Sequence, residues 1–482
     1  MTRTAGKEDG KTPLLWLADT GLASNAGTIP AIIGTSDPWC MLDGAAELWA
    51  DGDDETLLVA ALLGVPIRVF GNGGRFSALA DGGDALNDVV EREMIDGVVW
   101  HDPYRDEPTD IATIIGYCAA WRQLIDANRP VAVAFGFGQW KRGTVDALLW
   151  NGGSDSTSFL STHAEKLAAV PEKAAIALWK ARVPAEFLAL SEQRAGPVYE
   201  VEDGFIRSVG LGADCVPPLS IVVDPVGVHY DPARPSALEN MLATGDFSPE
   251  MLARAQQLRR LIVESGISKY ELGGESVPRP GGGRRHILVP GQVEDDRSVI
   301  AGGGDLRGNL DLLTRVRAAE PGAYILYKPH PDILSGHRKG HVLEAEVLQY
   351  ADEIVTDQPI SALLDMVDGV HVITSLAGFE ALLRGKDVTT HGVPFYAGWG
   401  LTHDLGDVPA RRRRKCTLDE LVAATLLLYP RYLDPVSGLP CPPELLIERL
   451  KAGMRRENRA VVMLRRTQGN LRRVISRLGF AA

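Results

Sequence analysis

Long apolar runs are scarce in this 482-residue chain. The most apolar stretches, such as the one in LVAATLLLYP, stop well short of the ~18 residues a spanning helix needs, so no transmembrane segment is expected. Cysteine is scarce too. Cys40, Cys118, Cys215, Cys416 and Cys441 are the five, and no two form a CxxC pair. That spacing excludes a disulfide framework and a zinc knuckle and suits a reducing compartment. The polar opening MTRTAGKEDGKTP lacks the apolar centre of a secretory signal, so a cytoplasmic location is expected. With a net charge of −13, the body of the chain is too acidic for nucleic acid to be a partner.

What is present is ordinary for a globular protein: 45% hydrophobic and 23% charged residues, in a length that suits two or three domains. The charge is uneven. Residues 451–482 hold nine basic side chains against the single acid Glu457, a net +8 that leaves −21 for the rest. Val461, Val462, Leu464, Leu471, Val474, Ile475 and Leu478 interleave with these cations. The pattern predicts a basic amphipathic helical tail seated on an anionic membrane surface, or a terminal helix packed on its own protein.

Gly- and Pro-rich stretches near residues 75 and 152 and at 272–286 punctuate the chain, and LGGESVPRPGGGRRH is the best linker among them. After it, HILVPGQ, AYILYKPHPD, EIVTD, VHVITS and DVTTHG read as strands alternating with helical patterns, the mark of a parallel sheet covered on both faces. Before it, PVAVAFGFG, AAIALWKA, PVYEVEDGFIRS and LSIVVDPVGVHY read as strand-rich runs, closed by the amphipathic helix PEMLARAQQLRRLIVESG. The expected fold is α/β, with two Rossmann-like domains facing across a cleft as in the GT-B architecture of sugar transferases. The expected boundaries are an N-terminal extension at 1–115, Rossmann-like domains at 116–280 and 281–450, and the tail at 451–482.

Ligands of open parallel sheets bind beyond the carboxyl ends of the strands, and four clusters fall there. Glu202, Asp203 and Arg207 follow one strand. Glu294, Asp295 and Asp296 follow another, with Gln292 before them and Arg297 and Ser298 after. Lys328 and His330 sit on a proline-stiffened loop suited to contacting or protonating a phosphate. Ser375, Leu376, Ala377 and Gly378 open a helix whose unpaired N–H groups favour an anion, with Gly378 letting a ligand approach the backbone and Glu380 placed to accept from ribose hydroxyls. The acids could hold Mg²⁺, but no DxD pattern stands beside the phosphate turn and the local cations could neutralise a phosphate themselves, so no metal is expected. Two carboxylates from opposite domains suit glycosyl chemistry instead.

The segments ILVPGQVEDDRSV, AYILYKPHPDILSGHRKG, TSLAGFEALLRGKDVTTHGVPFYAGWGLT, VEDGFIRSVGLG, PPLSIVVDPVGVHYD and ISKYEL together resemble the KpsC family of bacterial capsule β-Kdo transferases, most of all its C-terminal, β-2,7-Kdo-transferring module. The resemblance covers about residues 130–435. It implies a GT-B enzyme that takes Kdo (3-deoxy-D-manno-oct-2-ulosonic acid) from CMP-β-Kdo and adds it, with retention, to a Kdo-bearing lipid linker in capsule synthesis. It implies Asp296 as the nucleophile, Glu202 and Asp203 at the acceptor hydroxyl, and His330, Lys328 and Ser375 on the CMP phosphate. Arg207, Lys269 or Arg297 would meet the Kdo carboxylate. It further implies the cytoplasmic face of a Gram-negative inner membrane as the location and other capsule-assembly enzymes as partners. The alternatives are a silent module that binds CMP-Kdo or the acceptor, a transferase for a related ulosonic acid, and another surface-glycan acceptor.

The family's enzymes carry two modules and this sequence carries one. Residues 57–71 echo 378–392 when Gly64 is set against Gly385, so the N-terminal region is expected either to be a remnant of a first module or to match by chance.

Overall fold

The computed structural model of the chain describes residues 2–5, 14–18, 31–33, 37–71, 73–82, 85–153, 156–206, 216–267, 278–334 and 338–454. Arg207, Lys269, the first six residues of the linker and the tail from 455 lie outside the described residues. The chain divides into two compact units, Met1–Pro130 with Leu149–Thr157, and Val131–Leu148 with Ser158–Ala482.

The first unit holds a five-stranded sheet in the order Ala31–Ile33, Leu14–Ala18, Thr2–Ala5, Glu47–Asp51, Ile67–Phe70. The last two strands run parallel, joined by the helix Thr56–Leu63. Leu48 and Ala50 bury the strand's inner face with Leu57 and Ala60 of that helix, and Gly64 ends it at φ 70°, a conformation glycine adopts without a Cβ penalty. In the second unit, Gly369–Val372, Leu376–Leu383, Gly385 at φ 68° and the parallel strand Asp387–Thr390 repeat this order. The sequence echo is thus a shared strand–helix–strand form. The turns before the two helices differ in charge. Ser375 caps one, whereas the other follows Asp54, whose Oδ1 accepts from the Thr56 N–H at 2.9 Å, with Asp51, Asp53 and Glu55 beside it. Four acids at a helix start disfavour an anionic ligand there.

The break expected at 115 falls inside the continuous helix Ile111–Asn128, which Asp110 caps, and the first unit runs on to 130. Residues 149–157 rejoin it, the Asp37 N–H donating to the Gly152 carbonyl at 3.0 Å, so the Gly-rich stretch near 152 marks a second passage between units.

The second unit contains two sheets. One has the order Pro440–Cys441, Pro430–Leu433, Ser220–Asp224, Val198–Asp203, Ala175–Leu178, Val131–Phe135, Phe159–Leu160; its last four strands are parallel and Ser220–Asp224 is antiparallel to both neighbours. The other is wholly parallel, ordered Glu353–Ile354, Tyr324–Lys328, His286–Pro290, Gly369–Val372, Asp387–Thr390, His403–Asp404. Helices on both faces leave every residue of His286–Pro290 buried. The helix Pro249–Ser265 begins at the Ser248 cap with Pro249 in its first turn and stops at Gly266, φ 61°.

The expected domain end at 450 is also displaced. Strands Pro430–Leu433 and Pro440–Cys441 return to the first sheet, and helix Pro443–Lys451 packs on helix Pro249–Ser265, where Arg254 meets Glu444 through two bonds of 2.8 and 2.9 Å. A local strand pattern carries no information about which sheet the strand joins. The returning chain and a buried clamp, Glu239 accepting from the Nε atoms of Arg411 and Arg412 at 2.8 and 2.7 Å, unite the two Rossmann-like halves. The architecture is GT-B.

Candidate active site in the second unit

Strand His286–Pro290 lies between Tyr324–Lys328 and Gly369–Val372, all parallel, so three carboxyl ends deliver their loops to one rim. A cavity of about 150 Å³ opens there, room for roughly ten waters and hence for a ligand group. Of the residues expected at the site, Gln292, Asp296, Ser298, Lys328, His330, Ser375, Leu376, Ala377 and Glu380 line it.

The three consecutive acids have three different surroundings. Glu294 Oε1 accepts from the Asn309 N–H at 2.9 Å, and the Asn309 side chain in turn holds the Gln292 N–H and the Gln292 and Gly340 carbonyls at 2.8–2.9 Å. Glu294 therefore fixes the loop. Asp295 Oδ1 pairs with Arg338 Nε at 3.2 Å. Asp296 caps the short helix Arg297–Gly302, its Oδ1 accepting from the Ser298 N–H at 3.0 Å and the Ser298 hydroxyl at 2.7 Å. Its Oδ2 has no hydrogen-bond partner among the described residues. A carboxylate clamped by one oxygen presents the other in a fixed direction, which suits nucleophilic attack.

Gln292 is 4% exposed, and its Oε1 accepts from the Thr374 N–H at 3.0 Å. That contact fixes the amide so that Nε2, buried and without a hydrogen-bond partner among the described residues, is the free donor. An unmet buried donor costs roughly 1–3 kcal/mol, which a ligand acceptor would offset.

Lys328, at the end of its strand, donates to the Gln358 carbonyl at 2.5 Å. His330 caps the turn Pro331–Leu334, its Nδ1 accepting from the Asp332 N–H at 3.1 Å. In the neutral ring the proton is then on Nε2. Ser375 caps helix Leu376–Leu383, its Oγ accepting from the Ala377 N–H at 3.2 Å. Gly378 corrects an expectation, because it does not line the cavity. A Cβ there would stand 2.2 Å from the Tyr396 hydroxyl, which itself donates to the Ser375 carbonyl at 2.5 Å. The glycine makes room for the tyrosine that holds the Ser375 turn.

Across the cleft, Glu202 and Asp203 end strand Val198–Asp203. Burial pushes the Glu202 carboxyl up to about 7; Lys141 opposes the shift, while the negative charges of Asp203 and Asp296 add to it. The two strand ends are therefore close enough for Asp296 to act on Glu202. Asp203 pairs with Lys141 Nζ at 2.8 Å, and that ammonium lies 3.3 Å from the centre of the Trp179 ring. The two acids, equivalent by sequence, differ: Asp203 carries a counterion, whereas the Glu202 carboxyl is raised to about 7. Arg297 Nη2 donates to the Lys180 carbonyl at 2.9 Å, so this guanidinium links the helix after Asp296 to the other sheet.

Four residues escape a reading of the sequence. Thr374 and Arg338 line the cavity, Lys141 holds Asp203, and Tyr230 lies near Glu202, its hydroxyl pKa raised above the usual range by burial and then by that acid's charge. Arg338 and Tyr230 stand inside the quoted motifs SGHRKG and VGVHYD, where neither periodicity nor a strand end singles them out.

Comparison with known proteins bears on this site. Residues 174–432 match the family model described as capsule polysaccharide biosynthesis protein. The capsule polysaccharide modification protein LipA of Neisseria meningitidis serogroup A is 42% identical over 336 residues, 69% of this chain and 47% of LipA, so the chain spans about half the length of that relative. Two solved structures from Thermosulfurimonas dismutans KpsC match alike: the beta Kdo 2,7 transferase at 35% identity and TM-score 0.55, and the beta Kdo 2,4 transferase at 34% and 0.56, each covering 66% of this chain and 98% of the solved one. With more than half of its length inside the family model and its candidate site within or near that span, the chain belongs to the capsule polysaccharide biosynthesis protein family.

Proposed function

We propose that the protein is a retaining β-Kdo transferase that uses CMP-β-Kdo and extends a Kdo-bearing lipid linker of capsular polysaccharide. The observation that carries this reading is the placement of Asp296, with one oxygen clamped and the other open, on the cavity that also holds His330, Lys328 and the Ser375 turn. The solved relatives named as Kdo transferases support it.

In the first displacement, Asp296 Oδ2 attacks C2 of the Kdo unit and the C2–O bond to CMP breaks. The charge left on the phosphate is met by His330 Nε2–H, Lys328 and the first N–H groups of the Leu376–Leu383 helix. Glu380 holds the ribose. In the second displacement, the acceptor hydroxyl attacks C2 from the face CMP vacated, Glu202 takes its proton and the Asp296 carboxylate is released. Two inversions give net retention. A base with a pKa near 7 is matched to this proton transfer at neutral pH. Asp203, neutralised by Lys141, orients the acceptor side.

No metal enters this scheme, and EDTA is expected to leave the rate unchanged. The enzyme works at the inner face of the inner membrane beside the enzymes that supply its acceptor. The test is incubation with CMP-β-Kdo and a synthetic Kdo-terminated lipid, followed by NMR of the product. A β-linked Kdo supports the reading; an α-linked product, or no transfer, contradicts it.

A further inference from the structure

The open assignment at this site is the cation that meets the carboxylate of an acidic sugar. Arg297, one of the sequence candidates, spends a donor on the Lys180 carbonyl and is aimed at the other sheet. Lys328 gives one of its three N–H donors to the Gln358 carbonyl and is assigned above to the phosphate. Arg338 differs from both. It lines the cavity that Asp296 lines, and its single hydrogen bond among the described residues runs from Nε to Asp295 Oδ1 at 3.2 Å. Both Nη groups therefore keep their donors, on a side chain 35% exposed. A guanidinium held through Nε and open at its Nη edge matches the geometry that receives a carboxylate or phosphate.

We infer that Arg338 reads the carboxylate of the transferred sugar, with Asp295 as the positioning residue that holds the guanidinium over the cavity. This rests on the donor reading above and deepens it. The site becomes selective for sugars that carry a carboxylate attached to the anomeric carbon. Each of the three consecutive acids then has a distinct role, in which Glu294 fixes the loop, Asp295 aims the arginine and Asp296 attacks. The phosphate remains with His330, Lys328 and the Ser375 turn. Binding of CMP and binding of the sugar are thus separable in the side chains that serve them.

The separation supplies the test. In the full-length protein, KM for CMP-Kdo is measured by donor turnover and Ki for CMP by inhibition, for wild type, Arg338→Ala, Arg338→Lys and Asp295→Asn. Arg338→Ala is expected to raise KM about 10- to 100-fold, as for loss of a charge-assisted bidentate contact, with Ki for CMP unchanged. Arg338→Lys recovers part of the loss, since charge remains without the fork. Asp295→Asn falls between wild type and Arg338→Ala. A parallel rise in both constants assigns Arg338 to the phosphate and overturns the inference, as does no change in either. A wild type that neither turns over CMP-Kdo nor binds CMP overturns the donor reading itself and this inference with it.

Discussion

Arg297 Nη2 reaches the Lys180 carbonyl oxygen at 2.9 Å, joining the helix that Asp296 caps to the turn after strand Ala175–Leu178 of the other sheet. The bond spans the two halves whose strand ends carry Asp296 and Glu202. Its removal should therefore disturb alignment between halves more than chemistry within one. Arg297→Met is expected to lower transfer to the lipid acceptor about 10- to 100-fold while donor hydrolysis in the absence of acceptor changes little. Equal losses in both assays would assign Arg297 to the donor instead.

Glu202 predicts the pH profile. Its carboxyl, pushed up to about 7 chiefly by burial, must be ionised to act as base, so transfer should rise with pH through about 7 and level above it. Lys141 lowers this value, so Lys141→Gln should move the limb to higher pH. Glu202→Gln should abolish the limb together with most of the activity. A wild-type rate that is flat between pH 6 and 8 would remove Glu202 from the role.

A buried imidazole pair predicts acid sensitivity of a different origin. His371 Nδ1 and His391 Nε2 are 3.0 Å apart. Burial lowers His371 to about 3, with the charge of His391 second, and lowers His391 to about 4, with Arg315 second. Both folded values lie below the unfolded value of about 6.5, so the unfolded chain binds more protons as pH falls. The stabilisation is complete above pH ~6.5 and is lost as pH falls toward the folded values, about 2 kcal/mol per histidine by pH 5. Chemical denaturation at pH 7 and pH 5 should show this loss, and His371→Gln with His391→Gln should reduce it. An equal loss in the double variant would place the acid sensitivity elsewhere.

Much of the architecture is legible in the sequence, for reasons specific to each element. The run HILVP is continuously apolar because its strand is covered on both faces. Ser248, Pro249 and Gly266 mark both ends of their helix. The strand-end rule locates the cavity, since nine of the expected residues line it. Long-range pairing is not legible. Nothing in PRYL announces a strand of the first sheet rather than the second, and nothing in ATIIGYCAAW shows that its helix closes the first unit. Within the site, residue type gives Glu202 and Asp203 the same status, and only the position of Lys141 separates them. Gly378 looks open to ligand in the sequence because its tyrosine neighbour is 18 positions away.

The Gly378–Tyr396 contact is testable as a pair. Gly378→Ala forces its Cβ against the Tyr396 hydroxyl and is expected to cost about 1–3 kcal/mol of stability. Tyr396→Phe removes the oxygen, so the double variant should be less destabilised than the sum of the singles. Additive losses would show that the methyl meets something else.

The basic tail predicts a salt-sensitive membrane attachment. Residues 455–482 carry eight Arg against one Glu, and each cation near an anionic surface contributes about 1 kcal/mol. Deleting them should weaken sedimentation with phosphatidylglycerol liposomes at low salt and bring it to the level seen at high salt. Unchanged binding would contradict this role.

Nucleophilic attack by Asp296 is the step on which the proposed chemistry turns, and intact-protein mass spectrometry after mixing with CMP-Kdo alone tests it most directly. Wild type should gain the mass of one Kdo unit and Asp296→Ala should not. The same gain in Asp296→Ala, or β-linked transfer by that variant at the wild-type rate, would contradict covalent catalysis through Asp296.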